Sequence, residues 1–470
     1  MSPQRFPTST TSASSTILGD RLKFRNGPEA QNRFLKAALT EIQSTYAPNE
    51  PKKHGLPTDT ILNIYDKWGN GKYGVILTSN VLVDPTNLES AGNAIIFKEG
   101  ESHERRALYT YWAQLMKQDG ALAVMQLSHA GRQTPELVNP SPWSASDVQL
   151  VSSARFITYG KPIPLPTELV KTEVVDRFVY AAKYAYECGF DGIQLHGAHG
   201  YLFSQFTSPT TNKRTDKYGG SLENRQRIVL EIYDAIRAEI PASTGFLVGI
   251  KTNSVEFQNE GLTLEDAKLM CKVYEERGFD FVELSGGTFE KIAFVHERES
   301  TRRREAFFVE FAEQKILNFS KLSKLFLSFN MFLELFKVLQ IRPVFNKTVV
   351  YLTGGFRTAP AMIDAIKSNA TQGIGLGRPI TAEPDLPKKI LEGDVTSAIQ
   401  DHLPDLQAAL RWSRWAEQAW RKLVGSKLLG LIYYFSQDET VARFGETVVQ
   451  HLQKAALDTS KGRRPNQVVT

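Results

Sequence analysis

Phe190-Asp191-Gly192-Ile193-Gln194-Leu195-His196 is a short, largely apolar run, followed at once by Gly197-Ala198-His199-Gly200-Tyr201. Before it, Val175, Phe178, Val179 and Ala182 recur at i, i+3, i+4 and i+7, the spacing of one helix face. A run that is apolar nearly throughout suits a parallel strand buried on both faces. The unit recurs along the chain. Arg33–Ala38, Gly74–Val81, Ala121–Leu127, Phe246–Thr252, Phe279–Ser285, Thr348–Thr353 and Gln372–Leu376 fit the same description. Ile228, Ile232, Ala235 and Ile236 mark another helix, which Ser221 is placed to cap. Thr263 with Asp266 forms a capping box, and Pro360 falls in the first turn of a helix after Arg357. Eight alternations of strand and helix specify an α/β fold, a (β/α)8 TIM barrel in a single domain with extra C-terminal helices. A doubly wound open sheet is the competing architecture, but no G-x-G-x-x-G follows the first strand to support it.

The barrel is expected over residues 21–400, after a disordered N-terminal segment over 1–20. Residues 401–470 read as a helical extension with Trp412, Trp415 and Trp420 close together, ending in a polar tail. Residues 128–172, rich in Pro and Ser, read as a long loop of the kind that builds or covers a barrel active site. The 470 residues are 41% hydrophobic and 23% charged, which excludes a disordered, fibrous or collagen-like chain. A net charge of +5 over this length gives no argument for a nucleic-acid partner. Cys188 and Cys271, far apart, cannot make a disulfide framework, a CxxC zinc site or an iron–sulfur cluster, and they point to a reducing compartment. No signal-peptide pattern opens the chain, and no uncharged apolar run reaches the roughly 18 residues of a membrane span. The expectation is a cytoplasmic protein that acts on a small molecule, with no membrane, metal or nucleic-acid partner; a homodimer is left open.

The chemistry-bearing residues fall where strands end. Gln126–Arg132 follows the third strand, His196–Tyr201 the fourth, Lys251 the fifth, Gly354-Gly355 the seventh and Gly377-Arg378 the eighth. In a TIM barrel these ends share one face. Glycines after strands seven and eight let backbone N–H groups approach phosphate oxygens, and Arg378 adds a charged fork. His196 and His199 lack a neighbouring third metal ligand. Either one alone is an ordinary structural histidine; together, beside Tyr201, they suit a pair that grips a carbonyl oxygen while a phenol supplies a proton.

With Gln126–Arg132, Gly189–Tyr201, Arg214–Arg225, Tyr351–Arg357 and Gly375–Pro379, the chain from about Leu22 to Trp415 resembles the Old Yellow Enzyme family of NADH:flavin oxidoreductases, and within it the fungal members. The resemblance implies FMN across the barrel mouth, reduced by NADH or NADPH. It implies that Ala37, Ala38 and Thr40 line the flavin, that Asn80 holds the family's strand-two position, and that Gln126 bonds the pyrimidine edge. Lys251 stands where many members have an arginine near flavin N1, a cation worth about 4 kcal/mol to a negative flavin at about 4 Å and an effective dielectric of about 20; the alternative for Lys251 is a buried ion pair. It further implies His196 and His199 as the pair on the substrate oxygen, Tyr201 as proton donor, and an ene-reductase acting on an α,β-unsaturated carbonyl or related electrophilic alkene.

Two passages read differently. In Arg214–Arg225 the glycines turn the chain, Ser221 caps a helix and Asp216 is expected to pair with Arg225, a mainly structural role. Residues 315–340 hold five of the chain's 27 phenylalanines and one acidic residue. They read as an atypical insertion, a retained intron in preference to an evolved segment, with an amphipathic helix as the alternative. The competing functions are a non-redox phosphate-binding barrel enzyme and a family member impaired by that insertion.

Overall fold

Each apolar run becomes a strand because its alternate side chains find apolar cover on both sides. The strands are β1 (Phe34–Lys36), β2 (Val75–Leu82), β3 (Leu122–Ser128), β4 (Gly192–Gly197), β5 (Leu247–Asn253), β6 (Phe281–Ser285), β7 (Val349–Thr353) and β8 (Gly373–Leu376). All eight expected strands are present within a residue or two of their expected bounds. This computed structural model describes residues 4–8, 15–150, 158–254, 256, 260–285 and 341–400. The strands pair in parallel in chain order, and β1 pairs with both β8 (Phe34 opposite Ile374) and β2 (Leu35 opposite Val75), so the sheet closes into a barrel. Asn80 re-registers opposite Gln126 after an irregularity in β2 that follows Leu77.

Helices pack on the outside: α1 (Asp59–Gly69), α2 (His103–Met116), α3 (Asp176–Glu187), α4 (Leu202–Thr207), α5 (Leu222–Glu239), α6 (Leu264–Arg277), α7 (Ala359–Lys367) and α8 (Leu386–Glu392). The Ser221 hydroxyl accepts from the Asn224 N–H at the start of α5, the Thr263–Asp266 capping box opens α6, and Pro360 sits in the first turn of α7. Phe178, Ala182, Ile228, Ile232 and Ile236 join Ile193, Leu195, Val248, Ile250 and Val282 in the outer core.

The barrel's lower interior is a second apolar cluster, Leu35, Val75, Leu77, Val124, Leu247, Phe281, Val349 and Tyr351, which also takes in Leu22, Phe24 and Ala30 of the preceding hairpin. Its large side chains need flat ground. Phe281 stands opposite Gly249 and Tyr351 opposite Gly373, and each aromatic ring occupies the place where a glycine Cβ would be, 2.3 and 2.2 Å away.

Part of the segment expected to be disordered is held. Arg5 bonds both carboxylate oxygens of Glu383, whose side chain is buried, and the Phe6 N–H donates to the Ala398 carbonyl. The buried carboxylate is matched by two cations, Arg5 of the N-terminal segment and Lys389, whose Nζ lies 3.0 Å from Glu383 Oε1. Ser15–Gly19 forms a turn of 3-10 helix. The readings made for residues 315–340 and 401–470 lie outside the described residues.

Gly249→Ala should therefore destabilise the barrel by about 1–3 kcal/mol, the usual size of an overpacking penalty. Urea unfolding measures it; a variant as stable as the parent would mean that the Phe281 ring has room to move.

Candidate active site

Because the eight strands run in parallel, their C-terminal ends form one rim. The side chains alternate, so every second residue of each strand faces inward. Towards the rim Asn80 stands opposite Gln126, Gln126 opposite Gln194, His196 opposite Lys251 and Lys251 opposite Glu283. The register thus gathers the expected residues of β2, β3, β4 and β5 at neighbouring positions. Ala37 continues β1 into the same rim, its N–H donating to the Leu376 carbonyl at 2.9 Å. Gly354 and Gly355 (φ 141° and 73°) end β7 and are exposed, with open space beside Gly354. Gly377 and the exposed Arg378 end β8.

His196, His199 and Tyr201 lie side by side. The ring of His196 lies 4.4 Å from that of Tyr201 and 5.5 Å from that of His199. Reaching this arrangement bends the chain, because His199 takes φ 58° and Gly200 φ 79°. A positive φ costs a non-glycine residue energy and persists only where neighbours enforce it. Here Asn253 Oδ1 accepts from the His199 N–H at 3.2 Å, and Ser285 Oγ lies 2.8 Å from its Nε2. His196 has Ser128 Oγ at 3.3 Å from Nδ1, while its buried Nε2 makes no hydrogen bond among the described residues. A neutral imidazole carries one proton. If Ser128 donates to Nδ1, the proton sits on the unpartnered Nε2.

Burial, then the charges of His199 and Lys251, hold the pKa of His196 well below the ordinary histidine value. His199 keeps part of its surface open, yet it is walled in enough that burial and Lys251 push its pKa down to about 3. Both rings are neutral at neutral pH. Tyr201 is buried, and Asn80 Nδ2 donates to its oxygen at 3.3 Å.

Lys251 does find a buried ion pair: Glu283 Oε1 is 2.9 Å from its Nζ. Gln126 Nε2 donates to Gln194 Oε1 at 2.6 Å. Sequence reading missed Gln194, Glu283, Ser128 and Ser285. Their signal was present, since each is a polar residue within an apolar strand and two places from an expected site residue or from another of the four. It missed Glu89 as well, which accepts from Asn80 Nδ2 at 2.7 Å and from Thr40 Oγ1 at 3.4 Å; nothing local marks that one.

One expected pair is corrected. Asp216 takes bonds from Arg214 at 3.0 and 3.2 Å and from the Tyr218 N–H, while Arg225 donates to the carbonyls of Thr207 and Gly220. A residue two places away reaches the carboxylate without ordering a longer loop. Gly219 is required here, because a Cβ would meet the Arg214 carbonyl oxygen at 2.0 Å. Among the described residues no helix is long and apolar enough to cross a membrane.

Residues 22–396 match the model of the NADH:flavin oxidoreductase / NADH oxidase family. The chain is 38% identical over 386 residues to the NADH-dependent flavin oxidoreductase nadA of Aspergillus parasiticus, covering 81% of this chain and 80% of the relative. It is 30% identical over 388 residues to the NADH-dependent flavin oxidoreductase iliE of Hypocrea jecorina, covering 79% and 88%. In fold it is similar to the old yellow enzyme homologue from Zymomonas mobilis (TM-score 0.61, 22% identity, 81% of this chain and 94% of that one). It is similar also to morphinone reductase (TM-score 0.61, 22% identity, 84% and 94%).

The depressed pKa of His199 sets a stability test. The unfolded chain binds the proton near pH 6.5 and the folded chain only near 3, so stability falls as pH drops through that window. Between pH 7 and 5 this group alone costs about 2 kcal/mol. Asparagine tolerates positive φ. His199→Asn should make the loss of unfolding free energy between those two pH values shallower by about that amount. An unchanged loss in urea titrations at both pH values would mean that His199 is protonated in the folded protein.

Proposed function

The chain belongs to the NADH:flavin oxidoreductase / NADH oxidase family, and on that premise we propose that it reduces an electrophilic alkene, an α,β-unsaturated carbonyl or a related acceptor, at the expense of NAD(P)H. FMN is the cofactor and NAD(P)H the reductant of this family. The observation that carries the acceptor reading is the buried Nε2 of His196, without a partner among the described residues, beside the ring of Tyr201. A buried donor without a partner costs about 1–3 kcal/mol, which a carbonyl oxygen of the substrate would recover.

The rim suits FMN. Gly354-Gly355 and Gly377-Arg378 offer open backbone and a guanidinium for a phosphate, and Ala37 and Ala38 leave a low wall for a flat ring. Thr40, Asn80, Gln126 and Lys251 supply polar groups along its edge; Asn80 Oδ1, buried and without a partner among the described residues, is one such group. Bound there, FMN would supply the hydride-transfer chemistry between the nicotinamide and the β-carbon of the acceptor.

The protein's own groups do the rest. Neutral His196 and His199 donate N–H groups to the carbonyl oxygen and stabilise the negative charge that grows there. Ser128 and Ser285 hold the two rings. The Tyr201 O–H proton moves to the α-carbon, Asn80 supports the phenolic oxygen through that transfer, and solvent returns the proton afterwards. One hydride and one proton have then been added across the double bond, and NAD(P)H has become NAD(P)+.

Purified protein should be yellow with bound FMN; colourless protein that takes up none would favour a non-redox barrel enzyme. Replacing His196 and His199 together by alanine should leave FMN bound and lower kcat/KM for an enone by about a hundred- to a thousandfold or more, the loss known for removing single oxyanion donors. Loss of FMN, with activity per bound FMN unchanged, would make the pair structural. Tyr201→Phe should slow the half-reaction with the enone about a hundred- to ten-thousandfold and leave flavin reduction by nicotinamide unchanged. Equal slowing of both half-reactions in stopped flow would remove Tyr201 from the acid role.

A further inference from the structure

Beneath the rim, four polar side chains cross the barrel interior on four consecutive strands. Gln126 of β3 donates from Nε2 to Gln194 Oε1 of β4 at 2.6 Å, and Gln194 donates from Nε2 to Glu283 Oε2 of β6 at 2.9 Å. The other carboxylate oxygen, Glu283 Oε1, is 2.9 Å from Lys251 Nζ of β5. Gln194 and Glu283 are fully buried, and Gln126 and Lys251 nearly so. Below them lie Val124, Leu247, Phe281 and Tyr351. Lys36, whose Nζ lies over the Tyr65 and Trp68 rings of α1, has its own carboxylate, Glu41, at 3.1 Å. Glu283 therefore serves Lys251.

Such a chain of bonds has a direction. An ionised carboxylate only accepts, so it requires the NH2 group of Gln194. That turns the carbonyl of Gln194 towards Gln126, which in turn must present its own NH2. The Oε1 of Gln126 is then left as the acceptor for whatever lies above. The same acid sets the field at the other end, because a paired lysine presents much less net positive charge than a lone one.

We infer that Glu283 is a positioning residue for bound FMN: through Gln194 it fixes which face of the Gln126 amide meets the flavin, and through its pair with Lys251 it offsets the cation and keeps the reduced flavin from being over-stabilised. The inference rests on the proposed places of Gln126 and Lys251 beside FMN. The two charges are held for the electron balance of the site, since buried pairs of this kind contribute little to stability by themselves.

The test compares wild type, Glu283→Gln, Lys251→Met and the double variant, each loaded with FMN, and reads the affinities for oxidised and reduced FMN with the midpoint potential. Glu283→Gln leaves Lys251 uncompensated, so reduced FMN should gain on oxidised FMN at least tenfold, a rise of about 30 mV for a two-electron couple. Lys251→Met should shift the ratio the opposite way. The double variant, with no buried charge, should return to within a factor of about three of wild type. If a single variant fails to fold, the double variant decides alone: a shift beyond tenfold overturns the compensation. FMN-loaded Glu283→Gln with the wild-type ratio overturns the inference while the cofactor reading stands. Wild-type protein that binds no FMN overturns both.

Discussion

Closure of the barrel through β1 is the constraint from which the rest follows. Once Phe34 lies opposite Ile374 and Leu35 opposite Val75, the register of all eight strands is fixed, and with it which side chains face inward and at what height. The interior then fills in layers. Aromatic rings set over glycines form the floor, amides and one ion pair form the middle, and imidazoles, a phenol and hydroxyls form the top. A slip of one residue in any strand would exchange its inner and outer faces.

The middle layer is where packing and chemistry meet. An apolar layer would be the simpler way to fill a barrel, because burying Lys251 and Glu283 sacrifices hydration that their attraction only partly restores. Their position under the proposed cofactor gives the burial a purpose. The same low-dielectric surroundings, with Lys251 close by, keep His196 and His199 neutral, the state in which an N–H donor faces an oxygen without a formal charge on the ring.

The top layer depends on backbone strain held from two sides. His199 sits at φ 58° because Asn253 and Ser285, from β5 and β6, hold its N–H and its ring. The turn that follows β4 is therefore set by its neighbours as much as by Gly197 and Gly200. Further out, Arg214 reaches Asp216 and also the carbonyls of Ala145 and Leu165, so this segment fastens the long loop after β3.

Much of this was written locally. Strand positions, the caps at Ser221 and Thr263, the glycines of the rim and the His196–His199–Tyr201 cluster could be read because periodicity, capping and turn chemistry act over a few residues. The sequence alone therefore determined the barrel and the identity of most candidate site residues. Partnerships across the barrel were decided only by the tertiary structure. Glu283 lies 89 residues from Gln194, and Arg5 lies 378 from Glu383, and nothing in either neighbourhood names the other. Asp216 chose Arg214 over Arg225 for reach, and Lys251 met an acid because β5 and β6 align residue for residue. Local rules place a side chain on a strand and on a face; which side chain stands opposite depends on register, and register is set when the last strand closes on the first.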